Sequence, residues 1–184
     1  MTARPATFHA RRLHVVQGGQ AVSDDPEVCL TTLLGSCVSA CLWDETAGVG
    51  GMNHFLLPEA PDGASEGAAT DRRYGVQAME LLINALLARG ARRDRIRAKV
   101  FGGGRMTAGM MDIGARNAAF VRRFLNDEDI VVEAASLGGD AARRIQFWPT
   151  TGRARQHRVD GSGLAAQERP AAAPATGSGE VELF

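Results

Sequence analysis

Val28-Cys29-Leu30-Thr31-Thr32-Leu33-Leu34-Gly35-Ser36-Cys37-Val38-Ser39-Ala40-Cys41-Leu42-Trp43 holds two β-forming runs, Val28 to Leu34 and Val38 to Trp43, joined by only Gly35-Ser36-Cys37. Branched and large apolar side chains favour extended backbone, and a Gly-Ser pair between two such runs marks a sharp turn. Apolar and polar residues alternate imperfectly, as in strands partly buried on both faces. A third run, Val49 to Leu57, follows the polar turn Asp44 to Gly48 and ends at Pro58. The centre of the fold is therefore expected to be a sheet of consecutive strands.

Working outward, Leu13 to Val16 reads as a short edge strand, and Gly18-Gly19 to Asp24-Asp25-Pro26 as a turn-rich break. Residues 59–69, small, acidic and rich in Pro and Gly, read as a mobile loop. A helix is expected from Thr70 or Asp71, either of which can accept first-turn N–H groups. Val76, Met79, Ile83, Leu86 and Leu87 recur at helical spacing, and Gly90 closes the element. Further on, the pattern predicts a strand at Ile96 to Phe101, a tight turn at Gly102-Gly103-Gly104 and a helix over Ala115 to Leu125. Strands at Ile130 to Ala135 and Ile145 to Trp148 follow, then a turn at Pro149 to Gly152 into one last polar strand. The expected fold is mixed α/β of the α+β kind: one domain over residues 1–160, with largely antiparallel sheet layers packed against two main helices. Residues 161–184, mostly Ala, Pro, Gly and Ser, bury too little apolar surface to offset ordering entropy and are expected to be disordered.

Composition narrows the function. The 184 residues carry 21 Lys+Arg and 21 Asp+Glu, and the arginines are scattered among acids with a single Tyr, so nucleic acid is not an expected partner. No N-terminal h-region and no run long enough to span a bilayer is present, which argues against export and membrane insertion and favours the cytoplasm. Three cysteines, at 29, 37 and 41, are no disulfide framework. They lack a C-x-x-C pair, so zinc is not expected either, and the triple glycine lacks the Gly-Lys-Ser/Thr ending of a phosphate loop.

What remains is Cys37 at the turn. A sharp turn at Gly35 and Ser36 can leave N–H groups without ladder partners, free to stabilise an oxyanion when a thiolate attacks a carbonyl. A thiol is mostly protonated at neutral pH, so such a cysteine needs an imidazole nearby. Of the four histidines, only His54 lies inside an apolar run, on a strand that can neighbour the one after Cys37. The plain alternative for all three cysteines and for His54 is packing, and on the residues alone it is the default for each of them.

The blocks Thr31 to Val38 (TTLLGSCV) and Gly50 to Pro58 (GGMNHFLLP), with Cys37 and His54 seventeen residues apart, resemble the CheD family of chemoreceptor glutamine deamidases. Lys99 to Gly104 and Ile113 to Asn117 resemble two further family blocks in the same order, so the likeness spans roughly residues 12 to 150. It implies Cys37 as nucleophile, His54 as general base and acid, and Thr31, six residues before Cys37, as the threonine completing the site. Thr32 is the rival, because neighbouring strand residues face opposite ways. The resemblance also implies a reaction without metal or cofactor on glutamines of a chemoreceptor's cytoplasmic helices, and a cytoplasmic protein recruited to receptor arrays. A CheC-type phosphatase is the further implied partner. Gly104 and Arg105 depart from the family's smaller, less charged pattern, which bears on substrate contacts. Two other readings stand beside this one: a non-catalytic regulatory module, and a thiol sensor using Cys37 with Cys41.

Overall fold

The structure, a computed structural model, describes residues 11–57, 65–106 and 113–159, and of 65–72 only the backbone. The acidic stretch 58–64 and the expected disordered tail lie outside the described residues. The elements, in chain order, are β1 (Arg11–His14), β2 (Gln20–Ser23), β3 (Val28–Leu34), β4 (Val38–Asp44), β5 (Val49–Asn53), α1 (Ser65–Leu87), β6 (Arg97–Gly102), α2 (Ile113–Asp127), β7 (Val131–Leu137), β8 (Ala142–Trp148) and β9 (Arg153–Val159). They form two sheets, ordered β1-β3-β8-β9 and β2-β5-β4-β6-β7. Only β1/β3 and β6/β7 run parallel; the other pairings are antiparallel, as the sequence pattern predicts.

Strand β5 ends at Asn53, short of the expected Leu57, and β8 begins at Ala142, ahead of the expected Ile145; two elements differ more. The break after Gly19 contains β2, an edge strand paired with β5, whose four residues are too short to stand out as a run. Helix α1 begins at Ser65 instead of Thr70, taking in Ala68 and Ala69, both strong helix formers. Gly90, at φ 92°, ends that helical region in the left-handed conformation glycine tolerates.

Strands β3 and β4 go to different sheets, and their side-chain parity builds the layers. On β4, Val38, Ala40 and Leu42 face a core completed by Phe55, Met79, Leu82, Ile83 and Leu86, with Phe120 and Val121 from α2. Cys37, Cys41 and Trp43, one residue out of phase, face a second core shared with Val28, Leu30, Leu34, Ile145 and Phe147 of the four-stranded sheet. Alternation along β4 thus places helices on one side of the central sheet and the second sheet on the other. The same rule divides β5. Asn53 reaches the carbonyl of Ala78 on α1 through Nδ2, 3.2 Å, so the neighbouring His54 points between the sheets.

Candidate active site

The β4/β5 pairing continues past both strands through a bridge between Val38 and Phe55, with N–H···O bonds of 3.0 and 2.9 Å. This register is the one in which Cys41 pairs with Met52, so Ser39 stands opposite His54, with Cys37 diagonal to it on the same face. In a regular ladder such diagonal neighbours have α-carbons about 7–8 Å apart, within reach of long side chains. Both are nearly enclosed, Cys37 at 8% exposure and His54 at 7%.

The imidazole is held from the opposite sheet. Thr32 Oγ1 lies 2.8 Å from His54 Nδ1 and 2.8 Å from the carbonyl oxygen of Val15. A hydroxyl has one proton, and a carbonyl can only accept, so Thr32 donates to Val15 and accepts from Nδ1–H. The Val15 oxygen also lies 3.4 Å from Nδ1, another acceptor facing the same proton. This arrangement selects the tautomer with Nδ1 protonated and leaves the Nε2 lone pair bare. Nε2 is buried with no hydrogen-bond partner among the described residues. Burial holds His54 below its ordinary value of 6.5, with His14 pushing the same way and the Val15 carbonyl opposing.

The expected placement of Thr31 beside His54 is therefore corrected: the structure brings Thr32 there instead. Thr31 points to the outer face of β3, where Oγ1 donates to the Leu13 carbonyl at 3.4 Å and lies 3.5 Å from His14 Nδ1. The physical reason is strand parity: Val28, Leu30, Thr32 and Leu34 share the buried phase. That signal was present in the sequence, since the apolar Val28, Leu30 and Leu34 are in step with Thr32.

Cys37 sits where three successive carbonyls are anchored. The Gly35 oxygen accepts from Gly104 N–H and the Cys37 oxygen from Gly103 N–H, each at 2.8 Å, while the Ser36 oxygen accepts from Asn117 Nδ2, also 2.8 Å. Asn117 Oδ1 takes Leu57 N–H at 3.0 Å, so one fully buried amide ties the cysteine turn to the chain just past His54. The triple glycine is thus a clamp. At Gly102, φ 111°, a Cβ would stand 2.1 Å from the Cys37 oxygen, and at Gly114 one would stand 2.4 Å from the Gly104 oxygen. Arg143, buried between the sheets, donates to the carbonyls of Gly102 and Gly138 and supports this loop from behind. The carbonyls of Gly35 and Ser36, the two residues expected to support the oxyanion, are thus held by Gly104 N–H and Asn117 Nδ2, which fixes the turn that carries their N–H groups.

Burial pushes the Cys37 thiol up to about 11, only partly opposed by the Cys37 backbone N–H. The S–H donates to Gln17 Oε1 at 3.4 Å and makes no bond to His54. The resting site therefore holds a neutral thiol and a neutral imidazole. Cys41 is fully buried and pushed up to about 12, which leaves it no exposed thiolate for redox exchange with Cys37. Sequence reasoning missed Gln17, Asn117 and the Val15 carbonyl, whose contacts have no local signal, although Asn117 closes the block Ile113 to Asn117.

The family model for "CheD chemotactic sensory transduction" matches residues 56–158, a span that begins just after His54. The full-length relatives reach further. The probable chemoreceptor glutamine deamidase CheD of Caulobacter sp. (strain K31) is 54% identical over 178 residues, covering 95% of this chain and 94% of that protein. Its namesake in Rhizobium rhizogenes (strain K84) is 53% identical over 180 residues, covering 95% and 97%. Among solved structures, the Bacillus licheniformis hypothetical protein YfiH aligns at 14% identity over 73% of this chain and 62% of its own, with a TM-score of 0.44, a likeness too loose to bear on the site. On the family match and the identity across nearly the whole chain, this protein belongs to the CheD family.

Proposed function

We propose that this chain deamidates glutamine side chains of chemoreceptors, with Cys37 as nucleophile, His54 as general base and acid, and Thr32 holding the imidazole. The observation that carries this is the Thr32–His54 bond: the threonine proton is committed to Val15, so the proton of the imidazole is held at Nδ1, and Nε2 is left without a partner on a residue that shares its sheet face with Cys37. The names of the relatives supply the substrate class.

In this reading the Cys37 sulfur attacks the glutamine amide carbon as its proton passes to Nε2. With the thiol at about 11 and the imidazole depressed, proton transfer accompanies attack and no thiolate–imidazolium pair waits beforehand. The imidazolium then protonates the amide nitrogen, the C–N bond breaks, and ammonia leaves behind a thioester. Water, losing a proton to Nε2, adds to the thioester carbon. The C–S bond breaks, the sulfur recovers its proton, and glutamate departs. No helix among the described residues is long and apolar enough to cross a membrane, in keeping with a protein that meets receptors from the cytoplasm. Recruitment to receptor arrays and a CheC-type phosphatase partner belong to the same reading and rest on the family resemblance alone.

The test is incubation with a chemoreceptor cytoplasmic fragment, following ammonia release and conversion of amide to acid by mass. Wild type should convert specific glutamines and Cys37→Ala none. Equal behaviour of the two would remove the cysteine from the reaction and favour a regulatory binding role.

A further inference from the structure

We infer that the Gln17 side-chain amide is a catalytic group of this site, the second donor to the oxyanion beside the Cys37 backbone N–H. The inference rests on the deamidase reading above and adds a residue to it.

The loop carrying Gln17 is fastened to the site on both sides. The Val15 oxygen accepts from Thr32 Oγ1, Gly18 N–H donates to the His54 oxygen at 2.7 Å, and His54 N–H donates to the Gly19 oxygen at 3.0 Å. Gly18, at φ 80°, lets the chain turn there. Position 17 is thus pinned between Val15, whose carbonyl meets the Thr32–His54 pair, and the two glycines that bond the His54 backbone, and its side chain reaches the sulfur, with Oε1 3.4 Å from Sγ. The rest of Gln17 is exposed, so no packing demand explains why its amide head lies against a nearly buried thiol.

A primary amide has an acceptor end and a donor end that exchange by rotation about its last torsion. Against a neutral thiol the acceptor end faces S–H, as found. Once the sulfur bonds to the substrate carbon, its proton is on His54 and negative charge sits on the substrate oxygen, one bond from that carbon. A group already touching the sulfur is within reach of this oxygen, and the amide then does better to present N–H. The Gly35, Ser36 and Cys37 carbonyls are each bonded, which fixes the turn and its backbone donors, and the Gln17 amide is the side-chain group hydrogen-bonded to the sulfur. One donor removed from such a hole typically lowers kcat by about 10²–10³-fold.

The experiment compares wild type, Gln17→Ala and the near-isosteric Gln17→Glu, which keeps the shape and loses the donor. Ammonia release from a chemoreceptor cytoplasmic fragment gives kcat and KM, and iodoacetamide alkylation reports on Cys37 without any substrate. Both variants should lose about 10²-fold or more in kcat with KM changed only a few-fold. Alkylation of Gln17→Ala should stay within a few-fold of wild type. The inference is overturned if kcat holds or rises in either variant, or if alkylation collapses in step with kcat, which would make Gln17 a mere prop for the nucleophile. Conversion of Gln17 itself to glutamate in active wild type would also overturn it, since a carboxylate offers no donor. A wild type releasing no ammonia at all would fail the deamidase reading first, whereas active wild type with unaffected variants sinks only the role of Gln17.

Discussion

Strand β3 carries a threonine–histidine pair on each face, one residue apart. On the outer face Thr31 and His14 meet at 3.5 Å in solvent; on the inner face Thr32 and His54 meet at 2.8 Å between two sheets. The chemical groups are the same, and the surroundings differ. Outside, water can replace either partner, so the contact selects no tautomer and orients nothing. Inside, the Val15 carbonyl takes the threonine proton, the imidazole is nearly enclosed, and its far nitrogen has no hydrogen-bond partner among the described residues. A hydrogen bond positions a catalytic group where the alternative is an unpaired buried donor.

Substitutions on the two faces should separate accordingly. The largest effect belongs to the proposed nucleophile: Cys37→Ala should lower ammonia release from a receptor fragment on the order of 10⁴-fold or more. Next comes His54→Gln, which keeps a polar group but loses the proposed base, at about 10²–10⁴-fold in kcat. Thr32→Val keeps the branched shape and removes the acceptor for Nδ1–H. Its expected cost is about 10–10²-fold in kcat, together with about 1–3 kcal/mol in denaturant unfolding from the buried groups left unpaired. Thr31→Val, on the outer face, should leave kcat within about twofold and stability within about 0.5 kcal/mol. Equal losses from Thr31→Val and Thr32→Val would erase the distinction between the faces.

Titration sharpens the same contrast. Burial lowers the folded-state pKa of His54 below 6.5, so the active neutral imidazole should persist below that pH and the acid limb of kcat/KM should lie there. The unfolded chain binds a proton in the same window that the folded chain refuses, so stability should fall as pH drops below about 6.5. A pH series of urea midpoints should show that slope in wild type and a shallower one in His54→Gln. An acid limb above 6.5 would mean that His54 is not desolvated.

Much of this was legible along the chain. The runs at Val28–Leu34 and Val38–Trp43 are strands because branched and large apolar residues crowd them, and Val76 to Leu87 is helical by its spacing. Strand β2 was hidden because Gln20–Ser23 is an edge strand of four residues with one β-branched side chain, held by its partner β5 more than by its own preferences. The glycines at 102 to 104 read as a tight turn. That the turn clamps the cysteine loop depends on β6 pairing with β4 in a register that sets Gly102 against Val38.

By itself, the sequence determined the candidates for the site: a cysteine at a sharp turn, one histidine in an apolar run, two threonines on opposite faces of a strand. Those are facts of side-chain type and of period-two alternation, which are local. Tertiary structure alone decided which threonine meets the imidazole, because that depends on which face of β3 the second sheet covers. It also brought Gln17 to the sulfur and Asn117 to the turn, since both contacts cross between elements that share no sequence neighbourhood.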